Sequence, residues 1–99
     1  MSFKGNWAIQ VNAPLGVQKF ALAADVQGDS LIGVVTNGDG TQEILNGKVD
    51  GDEASWDLPI HKPMKVTVAF SATIDGDEIS GSARIGALGS AKFTGVRTD

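Results

Sequence analysis

Val66-Thr67-Val68-Ala69-Phe70-Ser71-Ala72-Thr73-Ile74-Asp75-Gly76-Asp77-Glu78-Ile79 reads as one strand, a two-residue turn and the start of the strand that returns. Val66, Val68, Phe70, Ala72 and Ile74 alternate with smaller or more polar neighbours, which is the period of two of a half-buried strand. Gly76-Asp77 then lies between residues that face each other across a hairpin. A glycine in the first turn position suits a type II′ turn, because it takes positive φ without a Cβ clash. The same phrase, apolar, polar, Gly-Asp, polar, apolar, stands at Val26-Gln27-Gly28-Asp29-Ser30-Leu31 and at Val49-Asp50-Gly51-Asp52-Glu53-Ala54. Three copies about one hairpin apart make the chain a series of hairpins.

Working outward from these turns, strands are predicted over Gly5 to Asn12, Val17 to Gln27, Ser30 to Thr36, Thr41 to Asp50, Glu53 to Ile60, Lys65 to Asp75, Glu78 to Ile85 and Ala91 to Arg97. No helical period persists for ten residues. Eight short strands, each with one apolar face, predict an all-β fold: a single 1–99 domain forming an eight-stranded antiparallel up-and-down barrel, which leaves no sheet edge exposed. A flattened sandwich is the alternative. The three Gly-Asp turns fall at one end with both termini and form a closed floor. The longer connections, Asn12 to Gly16, Asn37 to Gly40, His61 to Met64 and Gly86 to Ser90, frame a mouth at the other end, where binding residues are expected to gather.

Composition narrows the function. The chain has 99 residues, no cysteine, one histidine and a net charge of −4. Disulfides, thiol chemistry and zinc catalysis are therefore unsupported, and no cofactor or metal is expected. The Asp-Gly-Asp turns lack the ligand spacing of a calcium loop. An acidic chain without clustered Lys and Arg is not expected to bind nucleic acid. No apolar run reaches membrane-spanning length and no export segment is evident, so a cytoplasmic protein without membrane attachment is expected. Charge also divides along the barrel. Asp25, Asp29, Asp50, Asp52, Glu53, Asp75, Asp77, Glu78 and Asp99 outnumber Lys4, Lys48 and Arg97 at the floor, whereas Lys19, Lys62, Lys65, Arg84 and Lys92 outnumber Asp39, Glu43 and Asp57 toward the mouth. Such a mouth favours an anionic ligand such as a carboxylate.

Gly5-Asn6-Trp7 on the first strand and Arg97 on the last resemble the structural signature of the calycin superfamily, which includes lipocalins, fatty-acid-binding proteins and avidins. That resemblance implies a tryptophan packed at the closed end beneath a final-strand arginine, and a barrel holding one small ligand. It assigns Trp7 and Arg97 structural roles. Lipocalin disulfides, the trailing helix and the second lipocalin motif have no counterpart in the chain.

The inward faces combine large side chains with Gly33, Gly47, Ala72, Gly81, Ala83, Ala91 and Gly95. That mixture suits either a cavity or close interdigitation. The reading that follows is a binding protein for a small hydrophobic or aromatic molecule, carboxylates included, with Phe20, Trp56, Leu58, Ile60, Lys62, Met64 and Phe70 as the expected contacts. Pairing outward from Gly51-Asp52 without a bulge sets Gly47 opposite Trp56, Leu45 opposite Leu58 and Glu43 opposite Ile60. Glu43 would then point inward beside His61. These two are the candidate acid-base pair of an alternative reading, a cofactor-free isomerase, lyase or cyclase. A structural or assembly module is the third. Finally Ala8, Ala21, Ala23, Ile32, Val34 and Val96 share outward parity on adjoining strands, which predicts a homodimer.

Overall fold

The computed structural model describes residues 3–13, 16–38, 40–60, 66–86 and 89–98. They form β1 (Gly5–Ala13), β2 (Gly16–Gln27), β3 (Ser30–Asn37), β4 (Gly40–Glu43), β5 (Leu45–Asp50), β6 (Glu53–Ile60), β7 (Val66–Asp75), β8 (Glu78–Arg84) and β9 (Ser90–Arg97). Strands pair antiparallel with their sequence neighbours, except that β4 and β5 both pair with β3, and β9 returns to β1 from Trp7↔Arg97 to Asn12↔Lys92. With β4 and β5 counted as two parts of one bent strand, this is a closed eight-stranded up-and-down barrel.

The Gly-Asp turns are built as their sequence predicts. Gln27↔Ser30, Asp50↔Glu53 and Asp75↔Glu78 close two-residue connections. Gly28, Gly51 and Gly76 have φ of 62°, 63° and 65°, while the aspartates after them are not in the positive-φ region. Positive φ at the first central position alone is the type II′ pattern.

Inside, large and small residues interlock. Gly81 on β8 stands between Ala72 of β7 and Phe93 of β9, and Ala83 stands between Phe70 and Ala91. With so little bulk on β8, the Phe70 and Phe93 rings reach over it and meet edge-on, 5.5 Å between centroids. A Cβ on Gly81 would overlap the Ser71 carbonyl, so only glycine permits the close approach of β7 and β8. The small residues thus serve interdigitation along this wall.

One predicted register is corrected. Between Leu45↔Asp57 and Lys48↔Ser55 the ladder shifts by one residue. Asn46 and Gly47 together oppose Trp56, a β-bulge in which Asn46 takes the left-handed conformation at φ 54°. Asparagine is the residue other than glycine best suited to that region. Gly47 is required beside it, because a Cβ there would run into the Leu31 carbonyl. The extra residue reverses the faces beyond it: Ile44 is buried and Gln42 half-buried, whereas Leu45 and Glu43 are exposed. Glu43 pairs with the outward Val34 and does not face Ile60.

Candidate functional site

The floor is sealed by the first and last strands. Trp7 is fully buried and its Nε1–H donates to the Phe3 carbonyl at 2.9 Å. The Arg97 guanidinium lies over the indole, 4.2 Å from Cζ to the ring centroid. Its Nε donates to Asp77 Oδ1 at 3.0 Å and its Nη1 to the Lys4 carbonyl at 2.6 Å. One cation therefore covers an aromatic face and ties the N-terminal segment and the β7–β8 turn to the last strand. This is the packing that Gly5-Asn6-Trp7 and Arg97 imply.

An aromatic cluster occupies the interior farther up. Trp56 stacks on its cross-strand partner Phe70, with centroids 5.3 Å apart and planes 9° from parallel. Phe93 meets both rings edge-on and Phe20 meets Phe70 edge-on at 6.0 Å. Leu58 is buried on the same strand as Trp56. Trp56 itself is 1% exposed, yet its Nε1–H has no acceptor, alone among the buried side-chain polar atoms of the described residues. The two tryptophans share their chemistry and their burial, and they differ in this one bond. An unpaired donor in such a place costs about 1–3 kcal/mol.

Beside this cluster the barrel wall is incomplete. Continuing the register of Leu45↔Asp57 would set Glu43 against Pro59, which has no N–H to give. β4 pairs with β3 alone, and the ladder between β4 and the end of β6 does not form. Gln42 bridges the gap, its Nε2–H donating to the Pro59 carbonyl. Lower down, Asn46 Nδ2 donates to Asp57 Oδ2 at 2.9 Å. Gln42 was not predicted as a site residue, since a bulge-free register faces it outward. The Asn46-Gly47 pair is the signal that could have found it.

The predicted residues divide accordingly. Trp56, Leu58, Phe70 and Phe20 come together inside the barrel, Phe20 only partly buried. Ile60 ends β6, and its side chain lies outside the described residues, as do His61, Lys62 and Met64. Glu43 lies on the outer surface, and no charged side chain is buried among the described residues. The acid-base pair thus loses its inward acid. Among the described residues no three His, Asp or Glu side chains gather as for a metal ion, and no helix is long and apolar enough to cross a membrane. The outer wall over β5 to β7 and the mouth-side parts of β8 and β9 is a polar surface of exposed hydroxyls, with Ser55, Ser71 and Ser82 in one row between Lys48 and Lys92. In comparisons with protein-family models, curated proteins and solved structures, nothing matches the chain.

Proposed function

We propose that the chain is a calycin-like carrier that holds one slim hydrophobic or aromatic molecule in the mouth-side half of its barrel. The unpaired Nε1–H of buried Trp56 carries this reading. A ligand with a hydrogen-bond acceptor, such as a carboxylate, satisfies that donor while its apolar body packs on the Trp56, Leu58 and Phe70 side chains. The bulge opposite Trp56 and the open ladder at Pro59 give that part of the wall the freedom to adjust, and Gln42 offers a second polar group at its edge. The closed barrel and the Trp7–Arg97 floor support the calycin-like assignment, since they leave the opposite end as the place for a ligand.

Trp7→Phe leaves Trp56 as the sole indole, so its emission reports directly on the site. Titration with a panel of fatty acids and aromatic carboxylates is expected to quench or shift Trp56 emission saturably for at least one member. In Trp56→Phe the emission of Trp7 should stay unchanged. A panel without effect on Trp56, together with native mass spectra showing no co-purified small molecule, would overturn the proposal.

A further inference from the structure

On the outside of the barrel, the wall formed by β8, β9, β1, β2 and β3 has a different character. Val96↔Ala8↔Ala21 form one row across three strands, and Ala23↔Val34 continue it one step down. Ile32 follows on β3. Val96, Ile32 and Val34 are 51%, 44% and 36% exposed, among the most exposed large apolar side chains of the described residues. The stripe carries no charge along its length, although charged groups flank it.

Part of the stripe is the floor of a groove of about 860 Å³, whose two sides carry opposite charge. Lys19 on β2 stands on one side. Asp75 and Glu78, at the β7–β8 turn, stand on the other. Three strand spacings separate β2 from β8, roughly 14 Å. An apolar centre with a polar rim is the anatomy of an interface. The pattern of the rim says which partner fits: each side carries the charge that the other side needs. Lys19 lies two residues nearer the mouth than Glu78, in the row of Gln10, Thr94 and Ser80, so a two-fold axis passing between β1 and β9 and tilted roughly 25° from the strands sets Lys19 of one copy against Glu78 of the second, twice per dimer.

We infer that this wall is an isologous interface with a second copy of the same chain. A stable dimer buries about 800 Å² per partner, a small part of the 6078 Å² that one chain exposes. The wall itself spans more than half of the barrel strands. The polar wall over β5 to β7 stays free in such a dimer, and so does the mouth.

Sedimentation velocity from about 1 to 100 µM tests the inference. The full chain should sediment as a dimer toward the upper concentrations. Lys19→Glu and Glu78→Lys, each placing like charges together at both pairs, should each weaken dimerisation about tenfold or more at low salt. The double variant, with both reversals, should restore it. These side chains are exposed, so melting curves recorded at a concentration where parent and variants are all monomeric should match. A monomer throughout the range would overturn the inference. So would a dimer indifferent to both single reversals, or single variants that the double variant fails to rescue.

Discussion

Replacing Trp7 by alanine tests the floor of the barrel, and its magnitude follows from three contacts. The indole is fully buried, its N–H is bonded to the Phe3 carbonyl, and its face lies beneath Arg97. Truncating a buried large aromatic costs about 3–5 kcal/mol through lost burial and the cavity left behind. A domain of this size holds about 5–15 kcal/mol in total. At about 4–8 °C per kcal/mol, the melting temperature of Trp7→Ala should fall by at least roughly 12 °C. Trp7→Phe keeps an aromatic face under the guanidinium and loses mainly the donor, so it should cost only about 1–2 kcal/mol. Urea unfolding of the three proteins, followed by circular dichroism and by Trp56 emission, gives both values and checks two-state behaviour. A further cycle with Arg97→Met should show a coupling of about 0.5–1 kcal/mol to Trp7→Ala. An alanine variant within about 1 kcal/mol of the parent would refute the plug. Equal losses for phenylalanine and alanine would refute the assignment of most of the energy to ring packing.

Two other substitutions test how the walls are built. Gly81→Ala forces a Cβ against the Ser71 carbonyl, so β7 and β8 must part; a loss of about 2 kcal/mol or more in chemical denaturation is expected, and a neutral result would contradict the tight pairing. Pro59→Thr supplies the missing N–H opposite Glu43. The new amide should be protected in hydrogen exchange and stability should rise by about 0.5–1.5 kcal/mol, whereas rapid exchange at position 59 with unchanged stability would show that proline is not what keeps the ladder open.

Most of the barrel was legible because its signals are local. A glycine opening a two-residue turn fixes three hairpins, and alternation on either side of each fixes which side chains turn inward, as Phe70, Ala72 and Ile74 show. Trp7 and Arg97 were legible for a different reason: strand order makes β1 and β9 neighbours once the sheet closes. Glu43 was misread because facing is inherited along a strand, so the one-residue bulge at Asn46-Gly47 inverted every assignment beyond it. The Asn46-Gly47 dipeptide and Pro59 were both visible as departures from ordinary strand chemistry. What they do depends on their lying opposite one another's strands, which only the paired structure establishes. Gln42 escaped notice through the same inversion. The missing partner of Trp56 is a negative fact about three-dimensional surroundings, and a sequence does not carry it.

The departures from ideal barrel construction are not scattered. β7, β8 and β9 pair without a shift, as do β9 with β1 and β1 with β2. The bulge, the strand proline and the unpaired buried donor all fall along β4 to β6. Each has a cost: a disrupted ladder at Asn46-Gly47, a forgone bond at Pro59, and the desolvation of Trp56 Nε1–H. Any one of them is ordinary in a stable protein. Three on adjoining strands, around one aromatic cluster, are hard to account for by stability alone, because Trp56→Phe, a valine at position 59 and an unbulged strand would each remove a cost. Where local rules fail together, the compensation is ordinarily functional. The same region is where Phe20, Leu58 and Phe70 supply apolar surface, while the floor at Trp7 is fully satisfied and sealed. The ligand proposed for Trp56 would account for this cluster of costs with a single cause, because it would meet the indole donor and use the freedom of the wall beside it.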